Sequence, residues 1–175
     1  MFRKYLSCAA LAALMANPLI ASAHELGAHV HGVATLQIAV DEKTMTLNFS
    51  SPLDNLLGFE HLARDAKQKA AVKNMADSLN KEGQFFVPTA EAQCVLQSVK
   101  LASPVLEAQQ HENKDGHADL DGEFDFACKQ TAKLHDLEVK LFDAFPHLRQ
   151  LNVEVVTLKK QAAAQLSKEQ RRASW

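Results

Sequence analysis

Between Val33 and Ser50 the chain alternates apolar and polar residues, and this period of two restricts the fold more than any other feature. Ala34, Leu36, Ile38 and Val40 fall on one side of an extended strand, with Val33, Thr35, Gln37 and Ala39 on the other. Asp41, Glu42 and Lys43 make a polar turn, after which Met45, Leu47 and Phe49 alternate with Thr46, Asn48 and Ser50. The pattern predicts a β-hairpin with one buried face, ended by Pro52.

The remaining segments supply what covers that face. "HLARDAKQKAAVKNMADSLNKEG" is helical in character, with Leu62, Ala66, Ala70, Met75 and Leu79 as its apolar stripe and Asn80 with Gly83 at its end. "AQCVLQSVKLA" alternates and predicts a strand, whereas Ser103 to Gly122 is polar and without period, the composition of an exposed loop. "EFDFACKQ" returns to a strand with Phe124, Phe126 and Cys128 on one face. "HDLEVKLFDAFPHL" mixes a strand with a short helical turn closed by Pro146, and "QLNVEVVTL" is a strand facing Leu151, Val153 and Val155 inward. "AAAQLSKEQRRASW" reads as a small-residue tail. The sum is a single α+β domain, a mainly antiparallel sheet or sandwich with one main helix.

The compartment follows from the first residues. Arg3 and Lys4 precede an apolar run from Tyr5 to Ala16, and Ala21-Ser22-Ala23 is a small-residue cleavage site. Met1–Ala23 therefore predicts a secretory signal peptide, with residues 24–175 as the working domain. No other run is apolar enough for a membrane span. With 19 basic residues against 21 acidic ones and a single Tyr and Trp, the chain lacks the basic stripe of a nucleic-acid binder. In an oxidising compartment Cys94 and Cys128 read as a disulfide, flanking the polar loop and pinning its base. The rival reading makes them two thiolate metal ligands, although neither has a close Cys or His partner.

Eight histidines carry the chemistry: His24, His29, His31, His61, His111, His117, His135 and His147. His29 and His31 stand two apart just before the first strand, so an extended backbone sets both rings on one face. Zinc asks for neutral imidazole nitrogens at about 2.0–2.1 Å in a tetrahedron, and two rings on a strand supply half of that shell. Glu60 and His61 lie where the hairpin hands over to the helix. The loop adds His111 and His117 among Glu112, Asp115, Asp119 and Asp121. His135 and His147 sit among apolar periodic residues and read as structural or surface positions. If cleavage leaves His24 first, its amine and ring form half of a copper-binding brace that His29 or His31 would complete. No G-x-S-x-G and no H-E-x-x-H is present, and the expectation is a protein that is not an enzyme.

"HVHG", "SPLDNLLGFEH", "HADL", "FDFAC", "LFDAFPHL" and the closing Trp175, in that order, resemble the ZrgA-type family of secreted bacterial zinc-binding proteins. The resemblance spans His29 to Trp175. It implies a periplasmic accessory protein in zinc acquisition, working beside components of a zinc transport system. Residue by residue it carries His29, His31, His61 and His117 over as the family's histidine positions. The expectation is a site of His29, His31 and His61 completed by His117, Glu60 or an aspartate, with the loop from His111 to Asp121 recruiting metal or closing over it. Members often hold a long His-rich loop where this chain has only "HENKDGHADLD", which leaves the core site to dominate. Zn²⁺ is the expected metal, with Cu²⁺ or Ni²⁺ the other ions such imidazoles accept. The competing expectation is a metal-free periplasmic interaction domain.

Overall fold

The computed structural model describes residues 30–81, 85–107 and 118–175. Residues 1–23, expected as a signal peptide, and His24, His29, Gly83, His111 and His117 lie outside those residues.

The alternating stretch forms the expected hairpin, β1 (Val33–Val40) against β2 (Thr44–Pro52), with Leu36 opposite Phe49 and Ile38 opposite Leu47. A single helical turn, α1 (Asp54–Leu57), and the main helix, α2 (Ala66–Leu79), follow. Next come β3 (Phe86–Pro88), β4 (Cys94–Ala102), β5 (Asp119–Cys128), β6 (Asp136–Val139) and a second helical turn, α3 (Leu141–Ala144). β7 (Gln150–Thr157), β8 (Gln161–Leu166) and β9 (Arg172–Ser174) complete the chain.

Six strands form one sheet in the order β4-β5-β2-β1-β7-β8, and three form a second, β3-β6-β9. Every pairing is antiparallel except β1 with β7, which run parallel from Val33↔Gln150 to Val40↔Thr157. The inward faces of the large sheet bury Leu36, Ile38, Met45, Leu47, Phe49, Phe124, Leu151 and Val153. The small sheet closes over them: the Phe86 ring meets Phe124 at 4.8 Å and Phe49 at 6.4 Å between centroids. Val72, Met75 and Leu79 of α2 and Leu141 and Phe142 of α3 complete this core. The architecture is the sandwich-like α+β domain read from the pattern.

Four local expectations change. α2 begins at Ala66, not at His61, because the Asp65 carboxylate accepts from Gln68 N at 2.8 Å and caps the first turn. Its buried face is Val72, Met75 and Leu79, while Ala66 and Ala70 are exposed and Leu62 precedes the helix. β5 reaches back to Asp119, into the supposed loop. Its outward residues Asp119, Asp121, Glu123 and Asp125 alternate with inward Leu120, Gly122, Phe124 and Phe126, and that row of carboxylates disguised a strand. The C-terminal segment is not a tail: Ala162 and Ala164 of β8 face the core, β9 joins the small sheet, and Trp175 packs partly buried against it.

The fourth change concerns the cysteines. Cys94 and Cys128 form the disulfide, across from each other in the β4·β5 ladder. They close the ladder's far end, however, and the base of the polar segment lies at Ala102↔Asp121 instead.

Candidate metal centre

His31 sits on a turn fixed on three sides. Val33 N donates to Val30 O at 3.0 Å, and Gly32 takes φ +87°, a conformation natural to a residue without Cβ. The backbone N–H groups of Arg149 and Gln150 both donate to Gly32 O, at 2.8 and 2.9 Å. The Arg149 guanidinium donates to His31 O at 2.9 Å and fills the space where a Cβ on Gly32 would stand. From the third side Asn55, only 1 % exposed, accepts from Gly32 N and donates to Val33 O and Ser51 Oγ at 2.9 and 3.0 Å.

The partners of the His31 ring come from the α1 corner. α1 ends at Gly58, left-handed at φ 78°, whose N–H returns to Asp54 O. That turn swings Phe59, Glu60 and His61 back beside the start of β1. His31 Nε2 lies 3.1 Å from Glu60 Oε1, and its Nδ1 lies 3.6 Å from Asp54 Oδ2. His147 Nδ1 stands 3.9 Å from the same Asp54 oxygen, its ring against Gly58. Two imidazoles and two carboxylates thus share one corner, with Glu60 set into the protein at 9 % exposure and His31 open at 53 %. The contacts are pairwise: among the described residues no three His, Cys, Asp or Glu side chains already converge on a single point.

His61 follows Glu60 but turns onto its own chain. Its Nδ1 lies 2.8 Å from Leu62 O and its ring stacks on Phe59 at 5.1 Å. A carbonyl only accepts, so Nδ1 is the donor to Leu62 O, which leaves Nε2 as the ring nitrogen available to a metal.

The donor set suits a borderline dication. Two ligands at about 2.0–2.2 Å from a tetrahedral zinc lie roughly 3.3–3.5 Å apart. His31 Nε2 and Glu60 Oε1 stand 3.1 Å apart as an ion pair, a spacing shorter than that edge. Asp54 faces the other ring nitrogen at 3.6 Å, outside hydrogen-bond reach but on the side where a carboxylate orients a ligating histidine.

Of the sequence-derived candidates, the fold brings His31 and Glu60 into contact, and places His61 next in the chain with its ring held elsewhere. Beside them stand Asp54 and His147, which the spacing of the histidines does not single out. His147 is a surface residue, as its sequence context predicts, with its ring 58 % exposed and Nδ1 3.9 Å from Asp54 Oδ2. Both residues belong to the "SPLDNLLGFEH" and "LFDAFPHL" segments, which was the available signal. His135 stays apart at the surface, with Nδ1 on Lys133 O at 2.7 Å. The described chain resumes at Ala118 beside this corner, since Leu53 N donates to Ala118 O at 2.9 Å.

Among the described residues no helix is long and apolar enough to cross a membrane. Compared with known families, residues 28–175 match the model described as ZrgA family zinc uptake protein. Compared with curated proteins, the chain has no match.

Proposed function

The chain belongs to the ZrgA family of zinc uptake proteins, and from that premise we propose that it works as a non-enzymatic zinc-binding protein of the periplasm. Zn²⁺ is its cargo, captured at the corner between β1 and α1 and passed to components of a zinc transport system. His31 Nε2 and Glu60 Oε1 are the first two ligands, Asp54 orients the His31 ring, and His147 stands at the open side. His61, with its Nε2 lone pair available, and His29, His111 and His117 from outside the described residues are the candidates to complete the shell. The observation carrying this reading is the 3.1 Å approach of an exposed imidazole to a nearly buried carboxylate. Sequestration of both cysteines in a disulfide leaves imidazole and carboxylate as the donors, and suits an oxidising compartment.

Isothermal titration of chelator-treated protein with Zn²⁺ tests it, using the parent, His31→Ala and Glu60→Gln. The expected result is binding tighter than micromolar in the parent and a loss of at least tenfold in each variant. Affinity unchanged within twofold in both variants overturns the assignment. A parent that neither binds zinc nor melts higher with it favours the metal-free interaction domain, because a hundredfold excess over the Kd raises stability by about 2.7 kcal/mol.

A further inference from the structure

The end of β1 farthest from His31, about 30 Å along the strand, opens into a cavity that the zinc reading leaves unused. The cavity has a volume of about 380 Å³, within the range of small-molecule sites. Val40, Leu134, Leu158 and Trp175 give it apolar walls, and Lys159 and Lys160 stand at its edge. Its frame is fixed by the chain itself. Thr157 Oγ1 accepts from the N–H groups of Lys159 and Lys160 at 3.2 and 3.0 Å, holding the β7–β8 turn. Thr131 Oγ1 donates to Glu42 O at 2.7 Å, and Trp175 N donates to His135 O at 2.9 Å.

Two features point to a ligand. Leu158 is 70 % exposed at the tip of a tight turn, where polar residues ordinarily stand. The two lysines place positive charge there in a chain whose formal net charge is −2. Asp41 also borders the cavity, its Oδ1 accepting from Glu42 N at 2.7 Å, and its single negative charge leaves the two lysines in excess there. His135 lies at the wall with Nε2 3.5 Å from Asp136 Oδ2.

We propose that this cavity binds a small amphipathic organic anion, an aromatic or branched aliphatic carboxylate. Its apolar body stacks on Trp175 and packs against Leu134 and Leu158, and its carboxylate meets Lys159 and Lys160. The site is independent of the zinc centre.

Trp175 is the sole tryptophan, so its emission reports the cavity directly. The probe is 1-anilinonaphthalene-8-sulfonate, followed by energy transfer from Trp175, with uncharged N-phenyl-1-naphthylamine as the neutral counterpart and 4-phenylbutyrate as a competing carboxylate. We expect saturable one-to-one transfer, displacement by 4-phenylbutyrate, and at least tenfold weaker binding in Leu158→Asp and in the Lys159→Glu, Lys160→Glu double variant. These positions are exposed, and unchanged melting confirms that the variants fold. Absence of transfer in the parent, failure of 4-phenylbutyrate to compete, variants binding within twofold of the parent, or equally tight binding of the neutral probe overturns the proposal.

Discussion

Asn55→Ala is the substitution that most directly tests how the metal corner is built. The amide joins α1 to the turn before β1 through three hydrogen bonds, from Gly32 N and to Val33 O and Ser51 Oγ. Alanine removes all three at a site that is 1 % exposed, too closed for water to replace them freely. Each bond is worth about 1 kcal/mol net, and a buried group left without a partner costs about 1–3 kcal/mol more. Losing three bonds and orphaning the Gly32 N–H, a donor with a single hydrogen, destabilises the fold by about 4 kcal/mol. At roughly 3 °C per kcal/mol for a domain of this size, the Tm falls by about 12 °C. Thermal melts followed by circular dichroism, with the disulfide intact and zinc removed, measure that loss. Zinc titration well below the lowered Tm should show at least tenfold weaker binding, because His31 no longer keeps its station opposite Glu60. A variant melting within about 3 °C of the parent with unchanged zinc affinity would refute the clamp.

Replacing Cys94 and Cys128 together by serine removes a bridge across a sequence separation of 34. It should cost about 4 kcal/mol in the chain-entropy model, read as a lower urea midpoint, while zinc binding is retained. Gly32→Ala puts a Cβ 2.3 Å from Arg149 Nε at φ +87°. The left-handed backbone alone costs about 1–2 kcal/mol, and the displaced guanidinium should weaken zinc binding as well. Asp143 is held below its ordinary pKa of 3.8, first by the hydrogen bond from Arg171 and then by its charge. A depressed folded pKa gives stability that is complete above 3.8 and lost as pH falls through the lower folded value. The urea-midpoint gap between the parent and Asp143→Asn should therefore hold from pH 7 to 5 and close in stronger acid; a gap independent of pH contradicts the pairing.

The period-two segments were legible because their inner and outer residues differ sharply in polarity, as in Leu36, Ile38, Leu47 and Phe49 against Thr35, Gln37, Asn48 and Ser50. β8 was not, since an alanine facing the core and an alanine facing water look alike. The first half of β5 was hidden by its outward carboxylates. For the site, an H-x-H beside a strand singled out His31, and Glu60 was found as a nearby ligand type. Asp54 and His147 were beyond such reasoning. His147 comes near His31 only because β7 lies parallel to β1, setting Arg149 against residue 31 at a sequence separation of 118. Periodicity identifies a strand but does not name its neighbour.

That parallel pairing also orders the birth of the molecule. A chain emerges amino end first, from a ribosome or a membrane pore, and β2 can pair with β1 at once. The other edge of β1 stays open until β7 arrives, and long-range closure of this kind is slow. The last neighbour of β1 and the Arg149 side chain that holds His31 O arrive together, long after Asn55. The corner proposed for zinc therefore gains its third side only once nearly the whole polypeptide has been delivered, and an incomplete chain holds His31 from the Asn55 side alone.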